Sequence, residues 1–266
     1  MLTANFIHLP FKQTSKNASC YFSWGLAQLV EQRVLIPQVG GSSPLPLAKF
    51  LIIYTIMITT DVEAWNKYPF HRQWFNKLWL SQRFNYVCGP SAVPVPTAGE
   101  YIVRPIYNLH GMGAGAQIQY LTEADVDLVP PGYFWCERFH GEQLTIELFW
   151  QSGRWNVMSV FQGQHANSTE LFRFQRWLKV RRTVDLPKDI DELWDCGSIN
   201  IETVGGRIVE VHLRGSPDPV EYEEFIPVWS DDDLNSIEHL ESTHRFISSP
   251  DPVLGTTVSR LGFYVK

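Results

Sequence analysis

Apolar and polar side chains alternate with a period of two over much of the chain after residue 100, the spacing of half-buried strands. Ala116, Ile118 and Tyr120 are separated by Gln117 and Gln119, and upstream Tyr101, Ile102 and Val103 favour extended backbone. Arg104 and Pro105 close that first run. Gly111, Gly113 and Gly115 lie between the two runs, where they allow positive φ and close backbone approach. The pattern predicts a β-hairpin over Glu100–Leu121 that carries a glycine-rich loop. Tyr133–Phe139 reads as a further strand behind the Pro130, Pro131, Gly132 turn. Leu144–Trp150 and Trp155–Phe161 read as an antiparallel pair turning at Gln151–Arg154. Ser198–Thr203 and Arg207–Leu213 read as another pair, joined at Gly205 and Gly206.

Helical spacing is confined to shorter stretches. Trp65, Tyr68, Phe70, Trp74, Phe75, Leu78, Trp79 and Phe84 predict one or two amphipathic helices after Asp61, interrupted at Pro69, with Lys77 on the second. Cys88–Thr97 is a proline-rich connector. Thr169–Arg182 is expected to be a helix, with Leu171, Phe174 and Leu178 on one face and Glu170, Arg173 and Lys179 on the other. Pro187 followed by Asp189, Asp191 and Glu192 reads as a helix start with acid in its first turn. Beyond Asp231 the chain is polar and turn-rich, and residues 231–266 are expected to form a C-terminal tail.

A length of 266 residues and 44% hydrophobic content suit one large or two small domains around an aromatic-rich core. A net charge of -6 argues against a nucleic-acid binder led by electrostatics, which needs a basic face. Cys20, Cys88, Cys136 and Cys196 lack CxxC spacing, and a reduced, cytoplasmic setting is the simpler reading. The first 56 residues differ from the rest. Ser23–Leu47 is similar to the peptide produced when a tRNA gene and its flank are translated, so residues 1–56 are expected to be poorly ordered and functionally silent, with Met57 as the start. The apolar run Phe50–Ile58 is far shorter than the ~20 residues that span a bilayer, and it lacks the flanks of a signal peptide.

Glycines that bind phosphate in Rossmann and P-loop proteins must open a helix, whereas those of the predicted hairpin lead into a strand and no GK[ST] follows. Two readings of the loop remain. Its amides can fold over a nucleotide, or it is a surface turn with no ligand.

Four segments in order carry a resemblance. Phe75–Pro96, FNKLWLSQRFNYVCGPSAVPVP, and Glu100–Ala116 resemble the early-lysine helix, the VP segment and the strand with glycine-rich loop of ATP-grasp enzymes. Phe134–Trp155, FWCERFHGEQLTIELFWQSGRW, is similar to the family's acidic strand end, glycine bend and following strand. Ile199–Arg214, INIETVGGRIVEVHLR, resembles the terminal hairpin whose second strand carries Glu-x-Asn-x-Arg. The likeness covers roughly Phe75–Pro217, so residues 57–230 are expected to form a minimal ATP-grasp-like domain of the kind that phages encode, acting in the cytoplasm or in that of a host. It implies an α+β fold of two small α+β subdomains with antiparallel sheets and a nucleotide bound between them. The preceding α/β domain usual in the family is lacking or reduced to a few helices.

The resemblance also implies chemistry and roles. A carboxylate attacks the γ-phosphate of ATP, and an amine then displaces phosphate from the acyl phosphate, with Mg²⁺ or Mn²⁺ and cations placed beforehand to meet the developing charge. Lys77 and Arg104 are implied on the nucleotide phosphates beneath Gly111, Gly113 and Gly115, Arg104 also serving catalysis where the family usually has Lys. Glu137 falls on the adenine side, Phe139 or Trp135 beside the purine, and Glu142, or Gln143 in an ungapped match, at the ribose. Glu210 is implied as the carboxylate bridging metal ions, and Arg214 as the cation that stabilises the acyl phosphate. His212 stands where the family has Asn, and imidazole suits softer ions than Mg²⁺. The upstream metal ligand falls at Asn200 or Glu202.

Two readings of other classes stand beside the ligase: a nucleotide-binding or interaction module without turnover, and a β-rich phage structural or assembly protein without nucleotide. The Asp231, Asp232, Asp233 run lacks the glycine and terminal glutamate of a calcium loop and reads as a solvated face.

Overall fold

Thr60 starts the first helix by a reciprocal cap. Its Oγ1 accepts from the Glu63 amide at 3.2 Å, and the Glu63 carboxylate accepts from the Thr60 amide at 3.2 Å. The helix, α1, spans Asp61–Lys67. Pro69 then opens a 3-10 segment, Pro69–Phe75, and the Asn76 side chain caps α2, Lys77–Arg83, by accepting from the Trp79 amide at 2.8 Å. These elements come from the computed structural model, which describes residues 58, 60–165, 171, 173–232, 237–252 and 258–266, all within the unit Ile53–Lys266. The expectation for residues 1–56 lies outside the described residues.

Twelve strands follow among the described residues: β1 Cys88–Pro90, β2 Gly99–Pro105, β3 Gln117–Leu121, β4 Tyr133–Glu137, β5 Gln143–Gln151, β6 Arg154–His165, β7 Phe174–Lys179, β8 Ser198–Val204, β9 Arg207–His212, β10 Glu224–Trp229, β11 Arg245–Pro252 and β12 Ser259–Val265. They form two antiparallel sheets. The smaller has the order β1-β4-β2-β3, and the larger β11-β12-β10-β7-β6-β5-β8-β9. With the helices, this is an α+β architecture. The predicted glycine-loop hairpin is the β2–β3 pair, and the Gly205, Gly206 turn joins β8 to β9.

The aromatic helices cover one face of the large sheet. Ala64, Tyr68, Trp74, Phe75 and Leu80 pack with Ile146, Leu148, Ile199, Ile201 and Val211 in its main core. Burial at roughly 2 kcal/mol per large apolar side chain holds the helices there, since seven-residue helices are marginal by themselves. The small sheet has a separate core around Tyr101, Val103, Leu121 and Trp135, and the Trp135 indole donates to the Val93 carbonyl at 2.8 Å. Trp135 is therefore a core residue. The acid-rich segment after Pro187 is a 3-10 helix, Lys188–Cys196, with Ile190 and Leu193 buried.

Two expectations are corrected. The stretch expected as a helix over Thr169–Arg182 contains strand β7. Phe174 and Trp177 are both buried at a helix-like spacing of three because the register shifts between Gln164 and His165, leaving an extra residue on β7. The two rings then pack against each other, 4.3 Å between centroids, over the bare backbone of Gly163, where a Cβ would meet both. The second correction concerns the expected tail. Residues 245–252 and 259–265 are strands, and β12 lies between β11 and β10 with Phe263, Tyr264 and Val265 buried.

Candidate functional site

The two sheets face each other across a cavity of about 830 Å³, within the usual range for small-molecule sites. From the small sheet come Arg104 on β2, Glu137 on β4 and the glycine loop. From the large sheet come Glu202 on β8 and Glu210 and His212 on β9, and the helices add Asp61 and Lys77.

Antiparallel pairing sets Glu202 opposite Glu210 and Asn200 opposite His212. Side chains directly opposite share a face, and all four line the cavity with Asp61 and Lys77, the first residues of both helices. Glu202, Glu210 and His212 each offer one ligand atom, and these atoms lie within 4.8 Å of one another. His212 Nε2 is 3.6 Å from both carboxylates. Its other nitrogen, Nδ1, is 2.8 Å from Oδ2 of Asp61. Such a carboxylate fixes the ring and aims Nε2 at a cation. The donor set of two carboxylates and an imidazole fits Mn²⁺ as well as Mg²⁺.

Asp61, only 2% exposed, also accepts from Arg214 at 3.1 Å. Burial by itself would raise its carboxyl, but His212 and Arg214 outweigh that and bring it down to about 2. Burial disfavours charge on His212 as well, and Asp61 and Glu202 overcome this to push its pKa up. Glu202 is lowered: burial opposes its charge, and His212, Lys77 and Arg214 together favour it. The carboxylates thus favour positive charge on His212, as His212, Lys77 and Arg214 favour negative charge on Glu202.

Lys77 is buried and forms an ion pair with Glu210. Burial, with repulsion from Arg104 behind it, brings the ammonium down to about 7 against the pull of Glu202 and Asp61. Arg104 reaches across from the small sheet and donates to the Val209 carbonyl at 3.0 Å, beside Glu210. Over these cations runs the loop after β2. Asn108 braces it by donating to the Gly111 carbonyl at 2.9 Å, and Gly111, Met112 and Gly113 all have positive φ. Gly111 faces open space.

Most of the residues singled out in the sequence line this one cavity: Lys77, Arg104, Gly111, Gly113, Glu137, Phe139, Asn200, Glu202, Glu210, His212 and Arg214. Gly115 and Glu142 do not. A Cβ on Gly115 would strike the Tyr133 hydroxyl and Pro105, so this glycine serves packing under the loop. Glu142 points outward to Arg182 at 2.5 Å, and its neighbour Gln143 lines the cavity instead. Asn200 donates its amide to Thr145 at 2.6 Å and to Glu147, away from the cluster that Glu202 joins. Burial pushes Glu147 up to about 7, against the bonds from Ser216 and Asn200. Phe139 stacks under Arg207 at 4.8 Å and meets Tyr86 edge-on. Glu137 accepts from the Val87 amide at 2.9 Å.

Sequence reasoning missed Asp61, since an acid in the first turn of a helix is common and does not mark a buried carboxylate. It also missed Arg260 on β12, which lines the cavity while paired with Asp218 at 3.3 Å and Asp251 at 3.5 Å. Helices with two antiparallel sheets are the α+β arrangement that the resemblance implied.

The chain is similar over part of its length to solved ATP-grasp proteins. Similar solved structures include a putative ATP-grasp superfamily protein from Archaeoglobus fulgidus, with TM-score 0.42 and 15% identity over 73% of this chain and 65% of that one. An L-amino acid ligase from Bacillus licheniformis gives 0.46 and 10% over 73% and 67%. A carboxyaminoimidazole ribonucleotide synthase from asperigillus clavatus, complexed with ATP, gives 0.40 and 9% over 73% and 68%. The chain thus spans about two thirds of the length of each. No family model matches it, and neither does any curated protein. Among the described residues, no helix is long and apolar enough to cross a membrane.

Proposed function

We propose that this protein is an ATP-dependent ligase that joins a carboxylate to an amine-type acceptor through an acyl phosphate. The observation that carries the reading is the Asp61-backed His212 beside Glu202 and Glu210, with Lys77 and Arg104 in the same cavity under the glycine loop. Glu202, Glu210 and His212 would hold a divalent cation, which when bound neutralises phosphate charge and orients the transferring group. Lys77 and Arg104 bind phosphate oxygens, Lys77 exchanging its Glu210 partner for the ligand. The amides at Gly111 and Gly113 close over the phosphates, and Phe139 and Glu137 flank the base. Arg214, held by Asp61, presents its remaining N–H groups to the acyl phosphate. The substrate carboxylate takes the γ-phosphoryl group as ADP leaves, and the acceptor amine then loses a proton to solvent as the C–N bond forms and phosphate leaves.

A second reading, nucleotide binding without turnover, is favoured by one feature: Lys77 and Glu210 already satisfy each other. Two measurements separate the readings. Binding of ATP that requires Mg²⁺ or Mn²⁺, followed by ADP release in the presence of amino-acid, peptide or modified-base acceptors, is expected of the ligase. Binding without ADP release leaves the module. Absence of metal-linked ATP binding overturns both and favours the structural protein.

A further inference from the structure

A second group of metal-ligating side chains stands outside the cavity. The 3-10 segment Pro69–Phe75 carries His71, and the 3-10 segment Lys188–Cys196 ends in Asp195 and Cys196. Local contacts clamp the two segments. The Trp74 indole donates to Glu192 at 2.7 Å, Arg83 meets Asp189 at 3.0 Å, and the Tyr68 hydroxyl donates to the Cys196 carbonyl at 3.0 Å. His71 Nε2 lies 2.8 Å from Asp195 Oδ1, and one ligand atom from each of His71, Asp195 and Cys196 falls within 4.8 Å of the other two.

We propose that His71, Asp195 and Cys196 form a zinc-type metal site that ties these two segments together. This reading is independent of the proposed ligase activity. Imidazole, carboxylate and thiolate together suit Zn²⁺, whereas Mg²⁺ takes oxygen ligands. The three donors come from segments 124 residues apart yet converge on one point, with the soft ligand buried and the hard one at the surface. Three protein ligands leave a fourth position to water, which the partly exposed Asp195 admits.

The same three residue types could form a nucleophilic triad, but the chemistry argues otherwise. Cys196 is buried, which shuts its thiol off from a substrate that it would have to attack. A cation binding there displaces the thiol proton to solvent and takes its place on sulfur. The nearby ammonium of Lys67, 5.2 Å from the Tyr68 ring centroid, weakens affinity without blocking the donors. One segment leads directly into Lys77 and the other into β8, so occupancy would brace both supports of the cavity wall.

The test is a Co²⁺ titration of the full chain followed by absorption. A thiolate ligand gives a sulfur-to-cobalt charge-transfer band, which the carboxylate and imidazole cluster at Glu202, Glu210 and His212 cannot give. The band is expected in the parent, displaced by Zn²⁺, retained in Glu210→Gln and absent in Cys196→Ser. Should Cys196→Ser fail to fold, the half-exposed Asp195→Asn takes its place and is expected to weaken Co²⁺ binding at least roughly tenfold. No band in the parent overturns the proposal. So does a band that survives Cys196→Ser, or Co²⁺ affinity unchanged in Asp195→Asn.

Discussion

His212 Nδ1 lies 2.8 Å from Asp61 Oδ2, joining the start of the first helix to the last residue of β9 across 151 positions of sequence. Asp61 is almost wholly buried, and its folded pKa of about 2 lies below the ordinary 3.8. A depressed carboxyl contributes stability that is complete above the unfolded pKa and is lost as pH falls through the folded one. That contribution is about 2 kcal/mol, lost between roughly pH 4 and pH 2. Asp61→Asn should flatten this acid limb and cost about 3–5 kcal/mol near neutrality, because Arg214 and His212 lose their buried partner. Urea unfolding of both proteins at a series of pH values checks this. The raised pKa of His212 works in the opposite direction, its share being complete below the ordinary 6.5 and lost as pH climbs through the folded value.

Glu210 carries two burdens, one toward Lys77 and one toward a metal. Glu210→Gln should abolish metal-linked stabilisation by ATP, measured as the shift in thermal midpoint. It should also destabilise the ligand-free protein by about 1–3 kcal/mol, since Lys77 is left buried without its carboxylate. Adding Lys77→Met should return much of that stability while leaving ATP binding lost. A double variant no more stable than Glu210→Gln would mean that the pair does not couple.

The turn between β8 and β9 is pinned by the bend before β5. At Gly205, φ is 56° and a Cβ would lie 2.2 Å from the His140 carbonyl oxygen; at Gly206, φ is 79° and nothing lies within 4 Å. Gly205→Ala should therefore cost clearly more than Gly206→Ala, which carries only backbone strain of about 1 kcal/mol. Denaturant midpoints of the two variants should separate in that order, and equal midpoints would remove the proposed close approach.

Phe263, 1% exposed, packs edge-on against Phe225 with centroids 5.4 Å apart. Phe263→Ala should cost about 3–5 kcal/mol. A loss under 1 kcal/mol in urea unfolding would restore residues 231–266 to the status of a tail.

Most of the hairpins were legible because alternation, glycine pairs and β-branched runs act locally. The β8–β9 hairpin was legible from Gly205 and Gly206, and His212 stood out as a departure from Asn, but the pairing of Glu202 with Glu210 was not legible, because it depends on a register shift between Glu202 and Thr203. β7 was not legible, because a bulge imitates helical spacing and only its partner strand reveals it. Nor was β12, a short run whose burial comes from β10 and β11 on either side. Asp61 was hidden for a third reason: its partners are distant in sequence, and a lone acid beside a cap has no periodicity to mark it. Gly115 and Glu142 show the converse, since residue type and spacing matched while placement did not: Gly115 packs against Tyr133 and Pro105, and the Glu142 side chain turns to Arg182.

The order of the large sheet has a consequence for how the chain reaches its final state. Asp61 leaves the ribosome before its partner His212 on β9, which follows only after eight strands, β1 to β8, have been made. Long-range pairings of this kind carry their loop-closure cost before any contact offsets it, so they form slowly and late. During that interval α1 has an acid at its start and no basic partner from β9. Its apolar face likewise has no β5 or β8 to rest on. The first helix is thus held in waiting for the second half of the chain, and the His212 to Asp61 contact reports that synthesis and folding have passed β9.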